Sequence, residues 1–207
     1  MKKLIPAICA AILLSGCAST FLKSDEAPVA IYSLRPMDKV ETLSAGSQSL
    51  SKVLEIQRPS LPPGFDTARI GMYLENGRRL DYYAAAKWPT ALDETLQEFT
   101  AQNARKTFPN LIVINPGSGV DADYLLQIKV NDFQPVYASG AQNAPLLVAS
   151  ISFTLLALPE ENIVTSFTVE QQVQAEANNL GVITAGLETL LQSVERKAFE
   201  TIAQKIK

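Results

Sequence analysis

Alternating apolar and polar residues predict a series of β-strands through the middle of the chain. The three longest predicted strands cover 124–133, 146–158 and 163–173, and a short turn at 159–162 makes the last two an antiparallel pair. On the last strand the predicted inward residues are Ile163, Thr165, Phe167, Val169 and Val173. Shorter strands are predicted at 30–34, 50–57, 69–75, 79–83 and 111–114, and Asn76-Gly77 is a strong hairpin signal between two of them.

Two other segments carry apolar residues at helical spacing. The first follows Trp88, has Pro89 in its first turn and ends before Pro109. Acidic residues near its start and basic residues near its end suit the helix dipole. The second runs from about 180 to 206. We therefore predict an α+β fold in one domain, with an antiparallel-rich β-sheet and two long helices packed on one of its faces.

The first 16 residues have the features of a lipoprotein signal peptide. Lys2 and Lys3 give a positive start, and the apolar run that follows is too short to span a bilayer. The run ends in Leu14-Ser15-Gly16-Cys17, which resembles the lipobox of bacterial lipoproteins, where cleavage leaves an acylated cysteine as the new N-terminus. We predict that Cys17 is the lipidation site. The other interpretation is an ordinary signal peptide with Cys17 as a free thiol.

Lipidation would determine where the mature chain resides. Two or more acyl chains hold a protein firmly on a membrane. Loss of the two leader lysines changes the net charge from −3 to −5, so a lipid rather than a basic patch must provide attachment. Ala18 and Ser19 follow the cysteine without an aspartate, and by resemblance to lipoprotein sorting in Gram-negative bacteria this favours the periplasmic face of the outer membrane. Residues 17–29 are predicted to be the lipidated N-terminus and a flexible tether, and residues 30–207 the folded domain.

Composition excludes several classes of function. The chain of 207 residues contains no histidine, which rules out Ser-His-Asp and Cys-His nucleophile sites and histidine-ligated zinc. A net charge of −3 argues against a broad nucleic-acid-binding surface. No Gly-Lys-Ser/Thr phosphate loop occurs, and no cofactor or metal is indicated.

Two short motifs suggest chemistry but lack the required context. Ser49 and Lys52 match the Ser-x-x-Lys spacing of penicillin-binding enzymes, but they enter a predicted strand, where residues three apart point to opposite faces. Asp121 and Asp123 are two carboxylates, whereas calcium needs six or more oxygen ligands. Neither motif predicts a catalytic or metal-binding site, so the residues alone favour a tethered envelope domain that is not an enzyme.

Three aromatic residues are candidates for a contact with a lipid or a protein partner. Trp88 is the one tryptophan of the chain, and Tyr82 and Tyr83 lie shortly before it. A lone tryptophan at the start of an apolar helix stripe is more often part of the core, which is the interpretation we favour for Trp88.

The order of several short motifs resembles one known family. Tyr32-Ser33-Leu34 lies soon after the tether, the stretch 81–92 opens the first helix with Tyr82, Tyr83 and Trp88, and Asp121-Ala122-Asp123-Tyr124 leads into a strand that reaches Phe133. These motifs are similar to those of the ABC-type transport auxiliary lipoprotein family (PqiC-like), over about residues 31–206. Pro89-Thr90-Ala91 and Pro62-Pro63-Gly64-Phe65 depart from the family pattern.

The resemblance implies a non-catalytic component of a trans-envelope lipid transport system that supports envelope integrity. Its partners would be a mammalian-cell-entry (MCE) domain protein and an inner-membrane permease, with energy from a separate ATPase or another source. A homo-oligomer is left open. The alternatives are an envelope hydrolase with a Ser/Lys or carboxylate site, and a structural or assembly lipoprotein.

Overall fold

The computed structural model describes residues 28–38, 40–44 and 52–206, which contain eight strands and two helices. In chain order these elements are β1 (Ala30–Ile31), β2 (Lys52–Ile56), β3 (Arg69–Leu74), β4 (Arg79–Lys87), α1 (Leu92–Thr107), β5 (Leu111–Ile114), β6 (Tyr124–Val136), β7 (Leu146–Ala157), β8 (Asn162–Gln174) and α2 (Leu180–Ala203). Their order and type confirm the predicted α+β fold.

The long strand β6 organises the sheet. One of its edges pairs antiparallel with β7 along nearly its whole length, and β7 pairs antiparallel with β8. Along its other edge β6 pairs with two strands, and each begins a branch of the sheet. The first residues of β6 pair with β2, which is followed by β5. The last residue of β6 pairs with β3, which is followed by β4 and β1. Between these two branches, the segment after β2 lies beside β6. There the Ser60 N–H donates to the Ile128 carbonyl, and the Val130 N–H donates to the Ser60 carbonyl. The parallel pairings are short, so the sheet is antiparallel-rich as predicted.

The Asn76-Gly77 turn forms the predicted hairpin between β3 and β4. Glu75, Asn76 and Gly77 all have positive φ, at 56°, 56° and 86°. Asparagine and glycine tolerate this left-handed conformation best, which explains why this dipeptide marks the turn. The Arg78 N–H donates to the Leu74 carbonyl and closes the turn.

The helices bury the apolar side chains of the sheet in one main core. The buried residues of β7 alternate along the strand and contact α2: Leu147, Ala149, Ile151, Phe153 and Leu155. One hydrophobic cluster includes these residues together with the apolar stripes of α1 and α2. The Asn179 side chain caps α2 by accepting a hydrogen bond from the Gly181 N–H at 2.9 Å. Two long helices on an antiparallel-rich sheet therefore supply the core.

Three local expectations are wrong. Pro89 precedes the first helix, which begins at Leu92 after Ala91 at its N-cap. The first strand stops at Ile31. Beyond Tyr32 the chain leaves the sheet edge, since the N–H groups of Arg35 and Met37 donate to side chains of α2 and α1. Ile163 does not face the core: a register shift near Leu155 places it opposite Leu156, and it is 69% exposed.

Candidate functional site

The predicted lipidation site lies outside the described residues, and so does Ser49. The Cys17 anchor, the signal peptide at 1–16 and most of the tether at 17–29 therefore stay predictions from the sequence. Among the described helices, none combines the length and apolar character needed to cross a membrane.

Lys52 and Asp123 form an ion pair that joins β2 to the start of β6. The Lys52 Nζ donates to Asp123 Oδ1 at 2.9 Å, and the Val53 N–H donates to Asp123 Oδ2 at 2.8 Å. The hydrogen bond from Lys52 lowers the pKa of Asp123, and the same contact raises the pKa of Lys52. A lysine held in its charged form is a poor general base. Among the described residues no three carboxylates or thiols are grouped to hold a metal ion.

The three candidate aromatic residues occupy separate environments. Trp88 is 2% exposed inside the main core. The Tyr82 ring lies 3.7 Å below the Arg69 guanidinium, and its hydroxyl donates to the Gly64 carbonyl at 2.7 Å. Because Trp88 is enclosed, these residues do not present one aromatic surface to a ligand.

Tyr83 instead belongs to a hydrogen-bonded chain beside a small second apolar cluster. Its hydroxyl lies 2.7 Å from that of Tyr137, which donates to Asn178 Oδ1 at 2.8 Å. The Asn178 amide in turn donates to the Ala141 carbonyl. Burial raises the pKa of both phenols, so they stay neutral and tie β4 to the segment before α2.

A buried carboxyl group between the two helices is the feature that sequence reasoning missed. Glu195 of α2 is 1% exposed and accepts hydrogen bonds from Thr100 Oγ1 and Asn103 Nδ2 of α1, both at 2.6 Å. Burial raises the pKa of Glu195 to about 7, and the two hydrogen bonds oppose that rise. The sequence does contain a signal for this buried carboxyl. Glu195 follows two leucines and precedes a phenylalanine in four-residue steps, which places it within an apolar helix face: Leu187, Leu191, Glu195 and Phe199.

The Glu195 contacts extend to residues 32–38 and 40–44, which we call the strap because they lie across both helices. The Met37 N–H donates to Asn103 Oδ1 at 2.9 Å, and Lys106 Nζ donates to the Met37 carbonyl at 2.8 Å. On the side of α2, the Arg35 N–H donates to Glu188 Oε2 at 2.7 Å. The strap thus connects the predicted tether to both helices through specific hydrogen bonds.

The face of β6, β7 and β8 opposite the helices carries a network of hydroxyl and amide groups, which we call the hydroxyl face. Asn131 Nδ2 donates to Ser152 Oγ at 3.0 Å, and Ser152 Oγ lies 2.8 Å from Thr168 Oγ1. Thr154 and Ser166 form a similar cross-strand pair at 2.9 Å. A face of hydroxyl and amide groups can stay open to water, and the cross-strand hydrogen bonds add modest stability to it.

The free edge of β8 borders an apolar groove. Within the described residues β8 pairs with β7 alone, so its outer edge is unpaired over 13 residues. A groove of about 610 Å³ runs between the second half of this strand and α2. Small or apolar side chains line its helix side, and we call it the edge groove: Val182, Ala185, Gly186, Thr189, Leu190 and Ser193. This arrangement can accommodate an extended chain.

The sequence from residue 32 to residue 198 matches the family model of the ABC-type transport auxiliary lipoprotein component. The chain belongs to this family. The match includes all ten secondary-structure elements except β1 and the end of α2. It confirms the resemblance noted from the short motifs: the protein belongs to a family of lipoprotein components auxiliary to ABC-type transport.

Solved structures show the same fold in distant relatives of this auxiliary lipoprotein. A protein from Xanthomonas campestris is 21% identical with a TM-score of 0.71, covering 85% of this chain and 95% of its own. An uncharacterized protein is 12% identical with a TM-score of 0.67, covering 85% and 99%. A PelC dodecamer from Paraburkholderia phytofirmans is 12% identical, covering 78% and 95%, and its TM-score of 0.49 is too low to bear on oligomerisation here. No curated protein matches the chain.

Proposed function

We propose that this auxiliary lipoprotein is a non-catalytic component of an MCE-type ABC lipid transport system, anchored through Cys17 to the periplasmic face of the outer membrane. The family match over residues 32–198 carries the proposal. Its partners are an MCE-domain protein and an inner-membrane permease, and energy comes from elsewhere in the system. In this role the domain of residues 30–207 docks or seals one end of a lipid conduit and supports envelope integrity.

The lipobox supports the proposed location. A diacylated Cys17 holds the chain at a bilayer without help from a basic surface, which an acidic mature chain lacks. Ala18 and Ser19, rather than an aspartate, follow the cysteine and favour sorting to the outer membrane. Residues 17–29 then separate the folded domain from the lipid.

The environment of Lys52 disfavours the hydrolase alternative. Its amine is engaged by Asp123 at 2.9 Å, whereas a Ser/Lys mechanism needs a neutral amine beside the serine hydroxyl. Purified protein is expected to show no turnover of ester, glycan or peptide substrates. Turnover that disappears on substituting Ser49 or Lys52 would replace the proposed role with a catalytic one.

The anchor is tested with Cys17→Ser. We expect this variant to lose palmitate labelling and to appear as a soluble form or an unprocessed precursor, whereas the wild-type protein fractionates with outer membranes. Cys9→Ser is the matched control, because Cys9 lies in the predicted leader and leaves with it. Acylation retained in Cys17→Ser would contradict the lipobox interpretation, and fractionation of the wild type with inner membranes would contradict the proposed location.

The partnership is tested separately by crosslinking in intact envelopes. Affinity purification of the wild-type protein should recover an MCE-domain protein, and Cys17→Ser should recover much less of it. Repeated absence of an MCE protein, with anchoring intact, would favour the remaining alternative of a structural or assembly lipoprotein.

A further inference from the structure

We propose that the edge groove is the docking site for an extended, basic segment of a partner polypeptide, which adds to the sheet as a strand beside β8. The proposal concerns a surface and the chemistry of its occupant. It does not depend on which transport system the protein serves.

The outer edge of β8 is long and lacks the usual protection. Soluble proteins commonly protect exposed sheet edges by keeping them short or by placing lysine or proline on them. The other two edges of this sheet are short, since β1 has two residues and β5 has four. β8 has 13 residues and contains neither lysine nor proline. Its outer row of backbone N–H and C=O groups is therefore available to another extended chain.

The edge groove lies where side chains of an added strand would point. An added strand beside β8 would point alternate side chains toward the helix side of the sheet, where the groove lies. Val173 on the strand is 46% exposed and faces the groove together with Leu190 of α2. On the helix, Ala185, Thr189 and Ser193 recur every four residues and leave room for incoming apolar side chains. An edge strand next to an apolar groove is a recurring arrangement for peptide recognition by strand addition.

The charge of the region around the edge groove indicates what kind of segment fits. No lysine or arginine occurs between Lys129 and Arg196, although this stretch contains six acidic residues besides the buried Glu195. It includes all of β7 and β8 and the part of α2 that lines the groove. Glu176 lines the groove itself, and Glu170 lies on β8. Complementary charge favours a partner segment with basic residues among or beside its apolar ones.

The direct test is binding of a labelled synthetic peptide to the full-length lipidated protein in phosphatidylcholine nanodiscs. The peptide is Lys-Val-Thr-Val-Lys-Val-Thr-Val-Lys, and its control replaces each lysine with glutamate. Zwitterionic lipid keeps the basic peptide off the bilayer, and empty nanodiscs measure what remains. We expect saturable binding of the basic peptide and at least tenfold weaker binding of the acidic one. Binding should weaken as salt rises, because salt screens exposed charges.

Variants of the protein distinguish the groove from other surfaces. Ala185→Trp fills the groove from an exposed helix position and should weaken binding at least tenfold, whereas Thr201→Trp adds the same side chain to α2 away from the groove and should not. Glu170→Lys changes the charge on the face of β8 toward which the lysines of the bound peptide point, and it should weaken binding about threefold or more. Glu94→Lys, the same charge change on an exposed position of α1, should leave it nearly unchanged.

Strand addition has its own readout. Two peptides are methylated on alternate backbone nitrogens, one at the odd and one at the even residues, and both keep their side chains. The peptide whose methyl groups point toward β8 loses the N–H donors of that edge and should bind at least tenfold more weakly, whereas the other should bind nearly as well as the unmodified peptide. Amides of β8 should also exchange more slowly with deuterium when the unmodified peptide is bound. Equal binding of both methylated peptides and the unmodified one, or unaltered binding by Ala185→Trp, would overturn the proposal.

Two other occupants are outcomes of the same experiments. The mature chain has no free cysteine once Cys17 is acylated, so Thr168→Cys introduces a single reactive thiol on β8. Efficient crosslinking between copies at this position would assign the edge to a second copy of the chain and overturn the proposal. Photocrosslinking of groove residues by a photoactivatable phosphatidylcholine, without peptide binding, would assign the groove to lipid and also overturn it.

Discussion

The two faces of the β6–β7–β8 sheet differ in their surroundings: alternating residues place apolar side chains in the core on one face and polar side chains in water on the other. Phe153 lies beneath the helices and is 1% exposed, whereas its chain neighbour Ser152 lies on the hydroxyl face and bonds across to Thr168. The covered face gains stability from removing apolar area from water. The open face stays hydrated and gains only the modest net free energy of cross-strand hydrogen bonds. Most of the stability of this sheet therefore comes from its covered side, and substitutions on the open side should cost little.

Substituting Phe153 by alanine should disrupt the packing of the covered face and have the largest effect on the free energy of unfolding. The ring stacks against Phe167 at 5.7 Å between centroids, and its removal leaves a cavity in the main core. We expect Phe153→Ala to lower the free energy of unfolding by about 3–5 kcal/mol, measured by urea denaturation. Phe153→Leu is the control and should cost much less because it leaves a smaller cavity. A small effect of the alanine variant would show that the helices do not provide most of the stability.

Trp88→Ala tests whether the same core extends to the junction of β4 and α1. Because Trp88 is almost fully buried, we again expect a loss of about 3–5 kcal/mol in the free energy of unfolding. Tyr82→Ala is a useful comparison, since Tyr82 lies under Arg69 outside that core. An unchanged melting temperature together with lost partner binding would instead make Trp88 an interface residue.

Titration of Glu195 should change the free energy of unfolding by an intermediate amount that depends on pH. Its folded pKa of about 7 exceeds the ordinary value of 4.5, so the folded protein binds a proton more tightly than the unfolded chain. The contribution of this group to stability is therefore fully present below pH 4.5 and is lost as pH rises through 7. Between pH 5 and pH 8 the loss should amount to at most about 3 kcal/mol.

Glu195→Gln should remove this pH dependence while keeping both hydrogen bonds. The glutamine oxygen can accept from Asn103 Nδ2, and its nitrogen can donate to Thr100 Oγ1. Urea denaturation at both pH values measures the change, and Glu94→Gln on the exposed side of α1 is the matched control. A pH profile that is the same in Glu195→Gln and the wild type would show that Glu195 does not titrate in this range.

Ser152→Ala should have the smallest effect. The substitution removes hydroxyl contacts to Asn131 and Thr168, but water can replace them on an open face. We expect a change of about 0.2–1 kcal/mol in the free energy of unfolding, measured in the same urea titration as Phe153→Ala. A loss as large as that of Phe153→Ala would mean that the hydroxyl face is covered in the folded protein.

Local patterns predicted most elements of this fold, but not how the strands are ordered. The period of two in β6, β7 and β8 and the Asn76-Gly77 turn involve residues close in the chain, and these predictions are confirmed. The division of β6 between β2 and β3 depends on parallel contacts between distant segments, which no local pattern encodes. Ile163 was misplaced because a single register shift reverses the side on which a residue lies.

The candidate surfaces were harder to predict than the fold. The Cys17 motif consists of consecutive residues and can be recognised in the sequence. A groove, by contrast, requires two elements that meet only after folding. The edge groove combines Val173 with Ala185 and Thr189, which lie on different elements. The contact between Glu195 and Asn103 likewise joins two helices, so its spacing on α2 could indicate a buried carboxyl but not its partners.

The strap gives the domain a preferred order of rupture under mechanical tension. The 13 residues from 17 to 29 can span at most about 45 Å between the proposed anchor and β1. A pull from the bilayer would therefore first reach the two-residue pairing of β1 with β4 and the Tyr32–Lys87 hydrogen bond. The contacts of Arg35 and Met37 would follow, one after another, before the long antiparallel pairings of β6, β7 and β8 separate. Detachment of these first residues would lengthen the tether, so the rest of the domain could move farther from the bilayer while it stays folded.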